Sequence, residues 1–233
     1  MLKIESVILP FKLFYRTDLK KNFRIARGLI SSGVGSFRLA RKAITEKQAV
    51  QRTWELMSLI GLVQSLRPDV IMEIGTHNGG TLFCWPQIAS NSATIISLDL
   101  PGGPFGGGYK HEDIARFETY LKPQQSLKCL RMDSHLAETY SEVVHVLGGR
   151  QIDFLFIDGD HTYEGVKADF NNYAPLVRTG GFIAFHDIHI NPDMPDCQVH
   201  LFWQEIKHSY KSQEFIDQSG PNQYGMGIGV LTI

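Results

Sequence analysis

Acidic and histidine side chains recur at the ends of short apolar segments of this chain. Glu73 lies near the end of one such segment, Asp99 follows the next, and Asp133 follows a third. Two further segments end in the runs Asp158-Gly-Asp-His161 and His186-Asp187. Carboxylates together with histidines can bind a divalent cation, and a histidine with an ordinary pKa of about 6.5 can move a proton near neutral pH. The residue types therefore indicate metal binding or proton transfer, with helix capping as the alternative.

A glycine-rich turn follows Glu73. Residues 70–80 read VIMEIGTHNGG, an apolar run that turns through Gly75. The spacing differs from the G-x-G-x-x-G of dinucleotide sites, and a carboxylate two residues before the first glycine would repel a pyrophosphate. It suits a ligand with positive charge and hydroxyls, such as S-adenosylmethionine, which carries a sulfonium, an amino group and a ribose but no phosphate. A glycine turn that holds no ligand is the alternative.

The segments that position these residues alternate between strand and helix patterns. We predict strands at 70–74, 94–99, 127–132, 152–157, 182–185, 214–216 and 226–233. Helices are predicted at about 45–66, 80–89, 111–121, 137–147, 162–176 and 199–210. A Thr45–Gln48 capping box is expected to open the first helix, and Gly180-Gly181 to break the chain after the fifth. This order predicts an α/β fold with a doubly wound, mostly parallel sheet, in which strand-end acids converge in one crevice.

Two features lie after the second predicted strand. Asp99 follows the glycine turn by about 20 residues, where α/β cofactor folds place the acid that binds ribose hydroxyls. Residues 101–109 read PGGPFGGGY, which is too glycine-rich for regular structure. The segment is expected to be either a lid over the ligand or a flexible surface loop.

The charge of the chain is distributed unevenly. Of 23 Lys and Arg and 24 Asp and Glu in 233 residues, ten basic and two acidic residues lie in 1–45, which leaves 13 and 22 in 46–233. We therefore divide the chain into a basic N-terminal extension, 1–45, and one main domain, 46–233. The extension is expected to pack on its own domain or on a second subunit, as in a homo-oligomer; a membrane-surface or partner-binding arm is the alternative.

Composition restricts the class of protein. The hydrophobic content of 43% and charged content of 20% are typical of a globular protein in solution. Cys84, Cys129 and Cys197 are odd in number and widely spaced, which favours the reducing cytoplasm over a disulfide framework. No secretory signal or transmembrane segment is predicted, because charges, glycines and prolines interrupt the apolar runs.

Four motifs follow one another from residue 73 to residue 187. They are EIGTHNGG at 73–80, DSH at 133–135, FIDGDHTYEGV at 156–166 and GGFIAFHD at 180–187. In order and spacing they resemble class I S-adenosylmethionine-dependent methyltransferases, and most of all the branch of cephalosporin hydroxylase-like proteins and macrolide or sugar O-methyltransferases. The resemblance covers about residues 50–233. It implies a Rossmann-like, seven-stranded sheet with helices on both faces, whose last two strands form a reversed hairpin.

The resemblance also implies a cofactor site for S-adenosylmethionine. The matching residues are Glu73, Gly75, Thr76, Gly79 and Gly80 for the methionine part, Asp99 and Leu100 for the ribose, Asp133 and Ser134 for the adenine, and Asp158.

A metal and a base are implied by the same likeness. Many members of the family bind a divalent, magnesium-like ion through acids after the fourth and fifth strands, which match Asp158 and Asp187 here. His186 stands where metal-dependent members often have a second acid, and a histidine ligand shifts the preference from Mg²⁺ toward Mn²⁺, Fe²⁺ or Zn²⁺. His161 matches a candidate base, so His161 and Asp158 are the expected catalytic residues. A site without metal is the alternative.

The resemblance thus implies a methyltransferase that modifies a hydroxyl of a small molecule, a sugar or a natural product. Two other functions stay open: a catalytically silent, cofactor-binding module that supports another pathway enzyme, and an RNA methyltransferase that uses the basic extension. The acidic main domain disfavours a nucleic-acid partner. The acceptor itself does not follow from the fold.

Overall fold

Seven strands and seven α-helices make up the part of the chain that the structure describes. A computed structural model describes residues 19–103, 105, 107–217 and 225–233, with side chains from residue 33 onward. The elements are α1 (Leu19–Lys47), α2 (Thr53–Leu66), β1 (Val70–Ile74), α3 (Cys84–Ile88), β2 (Thr94–Leu98), α4 (Asp113–Glu118), β3 (Ser126–Leu130), α5 (Ala137–Leu147), β4 (Ile152–Ile157), α6 (Tyr163–Tyr173), β5 (Val177–His186), α7 (Val199–Ile206), β6 (Lys211–Phe215) and β7 (Ile228–Thr232). None of the described helices has the length and apolar character needed to cross a membrane.

The strands form one sheet in the order β3-β2-β1-β4-β5-β7-β6. Strands β1 to β5 run parallel, whereas β7 is antiparallel to both β5 and β6. The predicted doubly wound, seven-stranded fold with a reversed final hairpin is therefore confirmed. Residue 74 pairs with Leu98 of β2 and Ile157 of β4, so these three strands end level with one another. The residues that follow them meet at one edge of the sheet.

Burial explains why the central strands read as continuous apolar runs. All five residues of β1 and of β2 are buried, as expected of a parallel sheet covered by helices on both faces. One face packs on α2 and α3 around Trp85, and the other packs on α6 and α7 around Trp203. Of the two edge strands, β3 is partly exposed and β6 is largely exposed.

The start of the first predicted helix was wrong. Thr45 lies inside α1, and its hydroxyl donates a hydrogen bond of 2.9 Å to the carbonyl of Arg41, one turn earlier. The hydroxyl is therefore directed away from the N–H groups that a capping box would satisfy. The chain instead breaks at Gln48, which has a φ of 63°, and α2 begins at Thr53.

Helix α1 crosses the boundary predicted between residues 45 and 46. Ala40 and Ala43 near its C-terminal end are fully buried in the core that α2 also lines. This end of the helix is therefore part of the packed domain. The division into an extension and a main domain stays a prediction, and residues 1–18 of the extension lie outside the described residues.

The glycine pair 180–181 was also placed wrongly. Helix α6 ends at Tyr173, and both glycines lie within β5. Gly180 donates a backbone hydrogen bond of 2.6 Å to Ile233, and Ile233 donates one of 3.1 Å to Gly181. A Cβ on Gly181 would lie 2.9 Å from the carbonyl oxygen of Asp153. The pair permits a close approach of strands rather than ending a helix.

Several predicted elements are shorter than expected. The helix predicted at 80–89 covers only Cys84–Ile88, because the chain turns repeatedly after the glycine turn. The helix predicted at 199–210 ends at Ile206, before a 3₁₀ turn and β6. By contrast, β1, α5 and β4 have the predicted limits.

Candidate active site

The three glycines of the turn after β1 are packed too closely to be replaced by a residue with a side chain. Gly75 has a φ of 86°, and a Cβ on it would lie 2.0 Å from the carbonyl oxygen of Asp158. A Cβ on Gly79 would lie 2.3 Å from the ring of Phe117, and one on Gly80 would lie 2.3 Å from the backbone nitrogen of Ala49. Gly75 thus lets β1 and β4 end side by side, and the other two glycines pack against α4 and the segment before α2.

Asp99 fixes the backbone of this turn. One carboxylate oxygen, Oδ2, accepts hydrogen bonds from the backbone N–H groups of Thr76 at 3.0 Å and His77 at 2.6 Å. Burial raises the pKa of Asp99, while these N–H donors act in the opposite direction. The carboxylate after β2 therefore holds the turn after β1, and its side chain also lines the first of the two cavities described below.

Glu73 is directed into the protein beneath the turn. It is fully buried, and its two oxygens accept hydrogen bonds of 3.0 Å from the Thr76 hydroxyl and 2.8 Å from the Trp85 indole N–H. Burial raises the pKa of Glu73 to about 7, although these donors favour the charged form. The structure does not place this carboxylate on the wall of either cavity described below, so its prediction as a cofactor ligand stays untested.

A cavity of about 160 Å³ opens at the carboxyl ends of β1, β2 and β3. Six of the predicted cofactor residues line it: Gly75, Asp99, Leu100, Asp133, Ser134 and Asp158. We call it the first cavity. Its lining combines carboxylates with apolar side chains, which include Leu98 and Met132. This combination can bind a flat apolar group together with hydroxyl and amino groups.

A larger cavity of about 330 Å³, the second cavity, lies beside the first. Gly75, His77, Phe105 and Asp158 border both. The second cavity also contains Thr76, Gly80, His161, His186 and Asp187. The first cavity therefore contains six of the predicted cofactor residues, whereas the second contains the predicted catalytic residues together with Thr76 and Gly80.

Three of the predicted residues form a compact charged cluster in that second cavity. His186 is buried, and its Nδ1 lies 3.1 Å from Oδ1 of Asp158 and 3.2 Å from Oδ2 of Asp187. Burial lowers the pKa of His186, but the two carboxylates outweigh it and raise the pKa well above its ordinary value. Asp187 has a φ of 59°, a conformation that costs a non-glycine residue free energy and turns its carboxylate toward the cluster.

His161 joins the same cluster from the start of α6. Its Nε2 lies 3.5 Å from Oδ1 of Asp158, and its Nδ1 lies 3.3 Å from Oδ2 of Asp187. Burial lowers the pKa of His161, but the hydrogen bonds with Asp158 and Cys197 and the nearby carboxylates raise it to about 10. Phe105 stacks on the imidazole, with 5.0 Å between ring centroids and 14° between the planes. In this arrangement the ring carries a proton at neutral pH.

The cluster fits a divalent metal ion. One ligand atom from each of Asp158, His186 and Asp187 lies within 4.8 Å of the others. Two carboxylates and an imidazole are ligands that Mn²⁺, Fe²⁺ and Zn²⁺ accept. The other ring nitrogen of His186, Nε2, is buried and has no hydrogen-bond partner among the described residues. A proton on Nδ1 and a metal ion would compete for the same place between the carboxylates.

Sequence reasoning did not identify all of the residues at this site. Gln51 donates a hydrogen bond of 2.9 Å to Oδ2 of Asp158, although 107 residues separate them. Cys197 lies 4.0 Å from Nδ1 of His161. His135 belongs to the DSH motif and lines the first cavity, but its position 3.4 Å from the fully buried Asp169 was not predicted. No local motif marks these contacts, because each depends on how separate elements pack.

Comparison with known proteins identifies the family. Residues 72–188, half of the chain, match the family described as "Methyltransferase domain". The matched segment runs from β1 to the residues just after β5 and so contains both cavities' strand-end acids. The chain belongs to this family, as its motifs indicated.

Two curated relatives and one solved structure are among the similar proteins. The uncharacterised protein y4gI of Sinorhizobium fredii is 31% identical over 170 residues, which are 72% of this chain and 18% of that protein. The uncharacterised protein R132 of Acanthamoeba polyphaga mimivirus is 58% identical over 120 residues, which are 50% of each chain. This chain therefore spans half or less of the length of these relatives.

The solved structure is an O-methyltransferase from Bacillus cereus in complex with SAH. It is similar to this chain with a TM-score of 0.55 at 20% sequence identity, over 87% of this chain and 91% of the other. At this identity the likeness concerns the fold.

Proposed function

We propose that this chain transfers the methyl group of S-adenosylmethionine to a hydroxyl oxygen of a small molecule, a sugar or a hydroxylated natural product. The observation that carries the proposal is the pair of adjoining cavities. One is lined by strand-end carboxylates suited to a nucleoside, and the other contains a cluster of acids and histidines. A transfer between two reactants requires such neighbouring chambers, because correct positioning supplies much of the rate.

The cofactor would lie in the first cavity with its adenosine part at the ends of β2 and β3 and its methionine part toward the second cavity. The carboxylate of Asp99 would accept a ribose hydroxyl, and Asp133 and Ser134 would bind the adenine edge. The methionine part would then extend past Gly75 and Thr76 toward the second cavity. No phosphate has to be accommodated among these carboxylates, and the positive sulfonium is attracted by them. The SAH bound to the Bacillus cereus protein supports this assignment.

The cluster in the second cavity would bind the acceptor. Asp158, His186 and Asp187 would hold a divalent ion, which when bound lowers the pKa of an acceptor hydroxyl. Asp158 is positioned for this by its hydrogen bond from Gln51 and by the short connection to β4. Phe105 and Met194 line the same cavity and would exclude water from one side of the acceptor.

His161 would take the hydroxyl proton. The acceptor oxygen forms a bond to the methyl carbon, the sulfur–methyl bond breaks with its electron pair going to sulfur, and the proton goes to a neutral His161 ring nitrogen. The carboxylates of Asp158 and Asp187 raise the pKa of this ring. A divalent ion bound to them would offset their negative charge and so lower the pKa of His161 toward its ordinary range. The ring is then able to accept a proton near neutral pH.

The three cysteines are free thiols. This is the state expected in a reducing compartment, and we propose the cytoplasm as the location of the protein.

The test is cofactor binding and methyl transfer by the full chain. Equilibrium dialysis with S-adenosylmethionine should show saturable binding to the wild-type protein. Transfer of labelled methyl to a panel of sugars and polyhydroxylated compounds should fall roughly 10²- to 10⁴-fold in His161→Gln, with cofactor binding kept. The matched control is His145→Gln on the exposed face of α5.

Absence of cofactor binding would overturn the proposal. Binding without turnover on any member of the panel would instead favour the catalytically silent module. Binding of RNA that weakens with salt would favour the nucleic-acid alternative.

A further inference from the structure

A second set of metal-binding atoms adjoins the acceptor cluster and shares Asp187 with it. His161, Asp187 and Cys197 each present one ligand atom, and these atoms lie within 4.8 Å of one another. Nδ1 of His161 is 3.3 Å from Oδ2 of Asp187 and 4.0 Å from Sγ of Cys197. The cluster proposed above for the acceptor contains neither Nδ1 of His161 nor the thiol.

The separations agree with tetrahedral coordination. Zinc binds histidine nitrogen and carboxylate oxygen at about 2.0–2.1 Å and cysteine sulfur at about 2.3 Å. A tetrahedral angle then places nitrogen and oxygen about 3.3 Å apart, and nitrogen and sulfur about 3.6 Å apart. The first separation is met as it stands, and a small rotation of the Cys197 side chain meets the second.

Hydrogen bonds between their segments hold two of the three ligands, His161 and Cys197, in place before any ion binds. The N–H of Gln198 donates a hydrogen bond of 2.7 Å to the carbonyl of His161, which ties the segment of Cys197 to the start of α6. The Gln198 side chain accepts a second hydrogen bond, 3.3 Å long, from the N–H of Tyr163. Cys197 itself is only 4% exposed. A preorganised site of this kind loses little conformational entropy when it binds an ion.

The nitrogen, oxygen and sulfur ligands determine which ion the site prefers. Mg²⁺ and Ca²⁺ prefer oxygen ligands, whereas a thiolate together with an imidazole selects zinc-like ions. We propose that Nδ1 of His161, Oδ2 of Asp187 and Sγ of Cys197 form a binding site for a thiophilic divalent cation of the zinc class. The thiol loses its proton to solvent when the ion binds, and water fills the fourth position.

Binding at this site has a consequence for catalysis, which rests on the base role of His161 proposed above. An ion on Nδ1 takes the lone pair of that nitrogen, so the imidazole proton stays on Nε2, which faces Asp158. The ring can then accept no further proton. The site is therefore inhibitory, and zinc-class ions regulate the reaction by occupying the base.

The experiment is a titration of the full chain with Co²⁺ alone, read by absorption spectroscopy. The wild-type protein should develop a thiolate-to-cobalt charge-transfer band in the near ultraviolet, and added Zn²⁺ should remove it. Excess Mg²⁺ should leave it unchanged. Cys197→Ser should lose the band, whereas Cys129→Ser, which changes a half-buried thiol on β3, should keep it.

Asp158→Asn provides the decisive comparison. This residue belongs to the other cluster and not to the proposed site, so the variant should keep the charge-transfer band. Circular dichroism establishes that each variant is folded. No band in the wild-type protein, or a band that persists in folded Cys197→Ser, overturns the proposal. The readout needs neither cofactor nor acceptor, so failure of the methyltransferase assay leaves it interpretable.

Discussion

The carbonyl oxygen of Asp158 lies directly behind Gly75, at 2.0 Å from the point that a Cβ on residue 75 would occupy. The ends of β1 and β4 are therefore in contact through their backbones. The first cavity lies against this contact, and both residues line it.

Gly75→Ala should disrupt this contact. Alanine would clash with the Asp158 carbonyl. It would also have to adopt a φ of 86°, which is energetically unfavourable for L-residues other than glycine. We expect a loss of about 3 kcal/mol or more in the free energy of unfolding and a loss of cofactor binding. Urea denaturation and equilibrium dialysis measure the two. The matched control is Gly61→Ala in α2, whose nearest neighbour would be 3.7 Å away; it should be neutral or stabilise by up to about 1 kcal/mol.

Asp99→Ala should weaken both the glycine turn and the binding of cofactor. The substitution leaves the N–H groups of Thr76 and His77 without their acceptor, which costs about 1–3 kcal/mol for each buried group. Asp99→Asn keeps an oxygen for these donors, so its stability should stay close to that of the wild type while its affinity for S-adenosylmethionine falls. Equal affinity in Asp99→Asn and wild type would show that this carboxylate does not bind the ribose. Asp193→Asn, at an exposed loop position, is the control.

Glu73 should make stability depend on pH in the acidic range. Its pKa in the folded chain, about 7, is above the ordinary value of 4.5, so the folded state binds this proton more tightly than the unfolded chain. Stability is then lost as the pH rises from 4.5 through 7. Glu73→Gln keeps the shape without the charge and should gain up to about 3 kcal/mol over wild type between pH 5 and pH 8.

Glu73→Ala separates the effect of charge from that of packing. It leaves the Trp85 indole N–H without an acceptor and opens space in the core, so it should destabilise the chain by about 2–4 kcal/mol at all pH values. Denaturant midpoints at several pH values measure both variants. A constant difference between Glu73→Gln and wild type would contradict the raised pKa.

His135 should produce a slope of the same sign at higher pH. The interaction with the carboxylate of buried Asp169, 3.4 Å away, raises the pKa of His135 to about 9, although burial acts against it; Asp133 and Asp160 add to the effect. Because the folded pKa lies above the ordinary value of 6.5, the stabilisation is complete below pH 6.5 and is lost as the pH rises through 9. The thermal midpoint of the wild type should therefore fall across this range more than that of His135→Gln.

His145→Gln is the control for this experiment, since His145 lies on the exposed side of α5. It should follow the pH dependence of the wild type. Parallel curves for His135→Gln and His145→Gln would show that the pair of His135 and Asp169 does not stabilise the fold.

The sheet and its acidic edge were predictable because their signals are local. Short apolar runs determine β1 and β4 at their observed limits, and parallel strands necessarily bring the residues after them to one edge. Asp99 and Asp158 could therefore be assigned to one crevice from the sequence alone. The limits of α1 and β5 could not. The hydroxyl of Thr45 can cap a following helix or, as here, bond to the carbonyl of Arg41 in the preceding turn. Gly180 pairs with the distant Ile233.

The orientation of individual side chains also depended on distant residues. Glu73 lies in a strand buried on both faces, so the alternation of apolar and polar residues does not show to which face its side chain is directed. The side chain lies on the face of Trp85, whose indole N–H donates a hydrogen bond to it. The pKa of His161 could not be assigned either, because it is set by Asp158, Asp187 and Cys197, which come from separate segments. Sequence therefore indicated part of the site, whereas the contacts of Gln51 and Cys197 and the protonation of His161 depend on packing.

Strand β7 pairs with β5 on one side and with β6 on the other, although β6 is synthesised first. During translation, β6 consequently has no place in the sheet until β7 has left the ribosome. The same segment covers the outer edge of β5. It also covers the indole of Trp203, which lies against Gly229 in the folded chain. A nascent chain that stalls before residue 228 would expose both, and such an intermediate is a target for chaperones or for aggregation.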